Sequence, residues 1–151
     1  MKLSKCRRVD CFMYHLAIMK KSWELLPKIL AGTKTIESRW YQTRRAPWGK
    51  ISKGDVVYFQ DSGKKITVKA LVSGVDQYEI RDNNHALDVF RKYTVADLGV
   101  EKIGEEIIKY ITDKKYAIFI HLSEPKSIKP FIINKTGYGK QTAWITFSQI
   151  K

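Results

Sequence analysis

The 151-residue sequence lacks the features that would place it in a membrane or in the secretory pathway. No apolar run approaches the roughly 20 residues that a bilayer-spanning helix requires. The opening MKLSKCRRVDC contains no apolar stretch of the kind found in a secretory signal. Cysteine is limited to Cys6 and Cys11, too few for a disulfide-stapled scaffold and ordinary for reduced cytosolic thiols. We therefore expect a cytoplasmic protein with no membrane partner.

The same scarcity of cysteine argues against a metal site. Cys6, Cys11 and His15 form a C-x4-C-x3-H pattern, which resembles part of a zinc site. A closed zinc site requires a fourth ligand, and neither His85 nor His121 has a spacing that marks it as one. We expect no metal and no other cofactor, and we expect His15 and His121 to be core histidines of apolar strands.

Acidic residues are also few, with 15 Asp and Glu against 28 Lys and Arg, which gives a net charge of +13. Residues 1–53 carry 13 basic and 3 acidic side chains, whereas residues 54–123 carry 10 and 11. The basic excess therefore lies towards the two ends of the chain. Such an excess favours an anionic partner, through long-range attraction and the release of condensed counterions. RNA or a nucleotide is the partner that we expect.

Short apolar stretches rich in β-branched and aromatic residues predict seven strands. These strands cover residues 15–19, 35–41, 55–60, 65–75, 116–122, 131–133 and 143–147. A helix is predicted to begin at Ser22 and to end at Gly32. Residues 82–112 carry two apolar stripes at helical spacing and are predicted to form helices.

The order of these elements does not alternate strand, helix and strand, so a parallel nucleotide-binding sheet is disfavoured. We predict one α+β domain, in which a mostly antiparallel, barrel-like sheet carries helices packed at its ends. The helices of residues 82–112 are close to neutral, and we expect them to cover the barrel without forming the ligand cleft.

The segment GTKTIESR, residues 32–39, brings a lysine, a carboxylate and a guanidinium close together. In a strand, Glu37 and Arg39 lie on one face and the apolar Trp40 on the other. Lys34 and the arginine can hold a phosphate or a carbonyl oxygen, and the carboxylate can orient the arginine or act as a base. An exposed ion pair of little energetic value explains the same pattern, and periodicity alone favours that interpretation.

Gly32, Lys34, Glu37 and Arg39 match GxKxxExR, and this segment resembles the signature of the ASCH domain family, a branch of the PUA-like superfold. The order of first strand, short helix and motif strand also resembles the family, over about residues 13–147. The resemblance implies a PUA-like, mostly antiparallel β-barrel with flanking helices. It further implies a cleft between the first helix and the barrel, lined by the motif, and an RNA-binding function.

Some ASCH members are hydrolases of RNA or of modified nucleosides. One amidohydrolase branch, which deacetylates N4-acetylcytidine, resembles this chain in having the lysine followed three residues later by a catalytic residue. That residue is a threonine nucleophile there and Glu37 here. If the protein is an enzyme, the resemblance points to Lys34, Glu37 and Glu79 as its catalytic residues. The resemblance also makes residues 13–151 a single ASCH/PUA-like domain, after a basic extension at residues 1–12.

Cations and aromatic rings are mixed in the loop after the motif strand and near the C-terminus. Phosphate contact combined with base stacking requires such a mixture. A solvated loop with its tryptophan packed against the barrel explains the first group equally well. Together with Lys34, Glu37 and Arg39, the candidates for RNA contact are Arg44, Arg45, Trp48, Lys50, Tyr138 and Lys140.

These observations support three hypotheses of different classes. The first is an RNA-binding domain whose ligand cleft is lined by the motif. The second is a hydrolase of a modified nucleoside or of single-stranded RNA, which would need Lys34 and a carboxylate within hydrogen-bond reach of one substrate atom. The third is a protein-interaction adaptor, which should leave an exposed apolar patch that the sequence does not show.

Overall fold

The computed structural model describes residues 12–98, 103–138 and 142–148. Cys6, Cys11, Lys140 and nearly all of the expected extension at residues 1–12 lie outside these ranges. The boundary between extension and domain therefore stays a prediction.

Six strands form one curled sheet in the order β2-β5-β4-β3-β1-β6. Neighbouring strands are antiparallel except for β1 and β3, which are parallel. The α+β class and the mostly antiparallel sheet are thus confirmed. In chain order the strands are β1 (Tyr14–Met19), β2 (Ile36–Tyr41), β3 (Val56–Asp61), β4 (Ile66–Glu79), β5 (Tyr116–Phe131) and β6 (Trp144–Phe147).

The predicted strands at 116–122 and 131–133 are one strand, because β5 runs without interruption from Tyr116 to Phe131. Its partner β4 is also long, and their pairing contains register shifts between Lys69 and Leu71 and between Val72 and Gly74. Such bulges let two long strands bend and twist together, which accounts for the curl of the sheet.

The helices are α1 (Leu25–Ala31), α2 (Asn83–Arg91), α3 (Thr94–Leu98) and α4 (Glu105–Ile111). The single helix predicted to begin at Ser22 is instead a 3-10 turn at Lys21–Trp23 followed by α1. Glu24, with a φ of 50°, separates the two. Pro27 has no N–H to donate and is tolerated only in the first turn of a helix, so α1 begins shortly before it. Gly32 ends α1 as predicted, with a φ of 80°.

Apolar residues fill both faces of the sheet. The concave face encloses a core that includes Val57, Phe59, Ile118 and Ile120, closed by α1. On the opposite face of β2 and β5, a second core is covered by α2, α3 and α4 and includes Ile36, Trp40, Phe90, Ile111 and Phe119. None of the described helices is long and apolar enough to span a membrane.

The two ends of the sheet approach each other at Arg39. This residue lies in β2, at one end of the strand order, and donates hydrogen bonds to Ala143 O (3.2 Å) and Ile18 O (3.3 Å). Ala143 directly precedes β6, which is the other end of the strand order. Arg39 therefore bridges the gap that keeps the curled sheet from closing into a barrel.

Candidate functional site

A cavity of about 480 Å³ lies beside β2, and we call it the edge cavity. Four consecutive residues of the strand, Glu37 to Trp40, line it. Because successive side chains of a strand point to opposite faces, four in a row can line one cavity only where it runs along the strand's edge. The edge cavity therefore occupies the gap at the open side of the sheet.

Glu37, Arg39 and Asp97 form the charged floor of the edge cavity, and Lys34 lies behind them. Lys34 Nζ donates to Asp97 O (2.5 Å) and to Ile36 O (2.6 Å). It also forms ion pairs with the Asp97 carboxylate and with Glu37 Oε1 (3.1 Å). Its side chain is fully buried behind the cavity wall and does not line the cavity. Burial disfavours a charged Lys34, but Asp97 and Glu37 outweigh that effect and raise the pKa of its ammonium above the usual value.

Arg39 completes the charged floor. Its guanidinium donates to Glu37 Oε2 from two nitrogens, Nε at 2.9 Å and Nη2 at 2.8 Å. Its Cζ atom lies 5.1 Å from the centroid of the Trp144 ring. Burial opposes the charge on Arg39, and Glu37 more than compensates, so the arginine pKa is raised. Lys34, Glu37, Arg39 and Asp97 thus form a buried set of two cations and two carboxylates that neutralise one another, which we call the charged quartet.

Aromatic side chains form the walls of the edge cavity. Trp23 packs edge-on against Tyr110, with ring centroids 5.9 Å apart, and Trp40 packs edge-on against Phe90 at 6.0 Å. Burial raises the pKa of Tyr110 to about 12, so its hydroxyl is neutral and can donate or accept a hydrogen bond. A planar ligand entering the cavity would meet apolar faces at its sides and polar groups below.

The mouth of the edge cavity carries an exposed ion pair. Lys20 Nζ and Trp23 Nε1 both donate to Glu106 Oε1 at 2.7 Å. Lys109 also lines the cavity. These contacts join Lys20 and the 3-10 turn to α4, and both Lys20 and Lys109 are exposed.

The helices of residues 82–112 were expected to stay away from the cleft, and that expectation is wrong. Phe90 in α2, Asp97 in α3 and Tyr110 in α4 all line the edge cavity. Asp97 is the residue that sequence reasoning missed most clearly, because it completes the charged quartet from 63 positions beyond Lys34. Neither its spacing nor the neutral charge of this segment distinguishes Asp97 from the exposed acids nearby.

Ser38 was also missed. Its hydroxyl donates to Asp97 Oδ2 (2.6 Å) and accepts a hydrogen bond from Trp40 Nε1 (3.3 Å). The strand alternation places Glu37 and Arg39 on one face and Ser38, between them, on the other, so the pattern of charges does not mark Ser38.

The remaining candidates lie outside the edge cavity. Glu79 is 70% exposed and forms an ion pair with Arg44 at 3.6 Å, so it does not approach Lys34 or Glu37. Arg44 lies over the Tyr116 ring (5.4 Å), against which Trp48 also packs (5.0 Å). The geometry therefore does not support Glu79 as the third catalytic residue that the family resemblance implies.

Arg45 lies over the Tyr41 ring at 5.2 Å and lines a second cavity, of about 230 Å³. Ala143 lines both cavities, so the second one adjoins the edge cavity. Lys50 and Tyr138 are exposed, and neither lines a cavity described above. Their roles in RNA contact stay predictions, as does that of Lys140, which lies outside the described residues.

The part of the chain that the structure describes contains no group of three His, Cys, Asp or Glu side chains arranged to hold a metal ion. His15 is buried in β1, where its Nε2 pairs with Asp55 Oδ2 (2.9 Å) and its Nδ1 accepts from Trp144 Nε1 (3.1 Å). Trp144 in turn packs against Arg39, so this core histidine helps to hold the arginine in place.

Among solved structures, this chain is similar to the ASCH protein of Zymomonas mobilis, with 14% sequence identity and a TM-score of 0.62. The match covers 87% of this chain and 85% of the other. A serine-to-alanine variant of that protein matches with 15% identity and a TM-score of 0.63, over 87% and 86% of the two chains. No protein-family model and no curated protein matches the sequence.

Proposed function

The chain has the fold of the ASCH domain, and we propose that it binds single-stranded RNA and holds one nucleobase in the edge cavity. The observation that carries this proposal is the edge cavity itself, which has a volume of about 480 Å³, aromatic walls and a polar floor. Its size lies within the range of about 300–1,000 Å³ that is typical of small-ligand sites. Single-stranded RNA is commonly recognised by bases that leave the stack and pack against aromatic side chains.

The charge distribution supports a polyanion as the larger ligand. The charged quartet is neutral as a set and its members satisfy one another, so the floor has no net attraction for a phosphate. The net charge of +13 must therefore act elsewhere. Arg44 and Arg45 are exposed and lie over the Tyr116 and Tyr41 rings, and Lys50 is an exposed cation of the same loop, so a phosphate backbone can contact all three.

Hydrolysis that uses Lys34 is less well supported than binding. A lysine that carries protons or stabilises an oxyanion needs access to the substrate and a pKa near the working pH. Lys34 is enclosed, its ammonium already faces four oxygen atoms, and its pKa is raised rather than lowered. A cytoplasmic location, and a domain spanning residues 13–151, belong to the same proposal.

The proposal is tested by replacing a cavity wall. Trp23→Ala should weaken binding of a fluorescein-labelled single-stranded RNA, because loss of base stacking on an aromatic ring costs about 1–3 kcal/mol. Fluorescence anisotropy titration measures the affinity. Ile132→Ala is the control, since Ile132 is a large apolar residue, 66% exposed and outside the edge cavity.

Thermal unfolding of both variants shows whether the fold is kept. Parent-like RNA affinity in a folded Trp23→Ala protein would contradict the placement of a base in the edge cavity. Absence of RNA binding by the parent protein would overturn the proposed function altogether.

A further inference from the structure

The open side of β2 faces the edge cavity. In the strand order β2 has β5 on one side, and none of the described strands on the other. Unpaired N–H and C=O groups of an edge strand are ready to pair with another molecule. The backbone of β2 is therefore part of the lining of the cavity, in addition to its side chains.

Hydrogen bonds at the two ends of β2 show which peptide groups face the cavity. Leu122 N–H donates to Thr35 O at 2.8 Å. Lys115 N–H donates to Tyr41 O, also at 2.8 Å. In an antiparallel pair, alternate residues direct both backbone groups to the partner strand, so the odd-numbered residues of β2 face β5. The even-numbered residues face the open side: Ile36, Ser38 and Trp40.

Two of these three residues already have neighbours at the open side. Ile36 O accepts a hydrogen bond from Lys34 Nζ, and the Trp40 N–H donates a hydrogen bond to the hydroxyl oxygen of Tyr110. Ser38 lies between them, and its own side chain is turned to Asp97. What Ser38 presents to the cavity is therefore its peptide N–H and C=O, side by side at the edge of the strand.

We propose that the backbone of Ser38 reads the Watson–Crick edge of the bound nucleobase. This inference rests on the proposed function and states how the same cavity recognises its ligand. The N–H donates to the acceptor on that edge, such as N1 of adenine or O4 of uracil, and the C=O accepts from the adjacent donor. Each of the four bases carries an adjacent donor and acceptor on this edge, so the contact accepts any of the four bases and does not distinguish between them.

This arrangement has two consequences for ligand choice. An anion such as phosphate would approach the Ser38 carbonyl oxygen and be repelled, so the cavity takes a base and not the backbone of the RNA. A base in a duplex uses the same edge for pairing, so only an unpaired base can be read. The selectivity for single strands then comes from the open edge of β2.

The test uses nucleosides as probes. Adenosine, cytidine, guanosine and uridine are titrated by calorimetry, and the one bound most tightly is compared with a neutral derivative whose edge donor is blocked by methylation. These derivatives are N6,N6-dimethyladenosine, N4,N4-dimethylcytidine, N1-methylguanosine and N3-methyluridine. The 2′-O-methyl derivative of the same nucleoside is the matched control, since its methyl group lies away from the base.

We expect the donor-blocked nucleoside to bind at least about tenfold more weakly, because it leaves the Ser38 carbonyl without a partner. The 2′-O-methyl nucleoside should bind like the parent nucleoside. In nuclear magnetic resonance titrations the Ser38 amide proton should shift downfield on saturation. The Arg39 amide proton, which is directed to β5, serves as the control.

Equal binding of the donor-blocked nucleoside would overturn the inference and leave the proposed function intact. RNA binding without binding of any nucleoside would also overturn the inference alone. If neither RNA nor any nucleoside binds, both the proposed function and the inference are wrong.

Discussion

Arg39 and Arg44 make the same kinds of contact in two different environments. Arg39 pairs with Glu37 at 2.8 Å and stacks on Trp144 at 5.1 Å. Arg44 pairs with Glu79 at 3.6 Å and stacks on Tyr116 at 5.4 Å. The Arg39 side chain is 8% exposed and that of Arg44 is 59% exposed.

Burial decides what each set of contacts does. Water screens the exposed pair and competes for its hydrogen bonds, so Arg44 contributes little to the fold and stays available to a ligand. Arg39 is shielded from water, and its contacts with Glu37, Ala143, Ile18, Met19 and the Trp144 ring replace hydration. Arg39, a motif residue, is thus enclosed in the wall of the edge cavity, while Arg44, a loop residue outside the motif, stays exposed at the surface.

The largest expected difference between the two arginines is in folding stability. Arg39→Met should lower the free energy of unfolding by about 3–5 kcal/mol, because it leaves a buried carboxylate with one cation fewer. Arg44→Met should change it by less than about 1 kcal/mol. Urea unfolding followed by tryptophan fluorescence measures both values. Equal losses in the two variants would mean that burial does not separate these pairs.

A smaller effect is expected at alkaline pH from Lys34, the other buried cation. Its folded-state pKa is raised, so its contribution to stability is complete below the usual value of 10.5 and is lost as the pH rises through the folded-state value. Between pH 9 and the onset of this loss, the stability gap between the parent and Lys34→Met should be constant. Above about pH 10.5 it should narrow, by up to roughly 1.4 kcal/mol per pH unit.

Lys20→Met is the control for this experiment, since it removes an exposed ammonium that also pairs with a glutamate. Urea unfolding at each pH supplies the stabilities. If the stability gap between the parent and Lys34→Met stays constant above about pH 10.5, Asp97 and Glu37 do not stabilise the charge of Lys34.

The smallest expected effect concerns the exposed arginines and RNA. Each phosphate contact contributes a slope of about 0.7 to the logarithmic dependence of affinity on salt for single strands. Replacing Arg44 and Arg45 together with alanine should therefore reduce the slope by about 1.4, with little change in unfolding. Anisotropy titrations over a range of salt concentrations measure the slope. An unchanged slope would place the phosphate contacts elsewhere on the basic surface.

Much of the fold could be predicted from local pattern. Alternating and continuous apolar stretches located all six strands of the described residues, but they ended β4 at residue 75 instead of 79 and divided β5 in two. Gly32 was predicted as the end of the first helix because a left-handed φ at that position favours glycine. These features depend on residues close together in the chain, so a short segment of sequence is enough to predict them.

The site was only partly accessible to the same reasoning. Glu37 and Arg39 were identified, since their motif is contiguous, and they do line the edge cavity. The enclosure of Lys34 could not be predicted, because it requires Asp97, which belongs to a helix with no local sign of a buried charge. Glu79 was assigned to the site only through the family resemblance, and the structure places it beside Arg44 instead.

The amino-acid order alone therefore indicated most of the elements, the position of Glu37 and Arg39 on one strand face, and the basic excess. The packed fold settled which strand lies at the edge of the sheet, and that Ser38 of this strand lines a cavity. It also settled that Arg39 is buried and Arg44 exposed. Strand order and burial arise from contacts between segments far apart in the chain, so no local pattern encodes them.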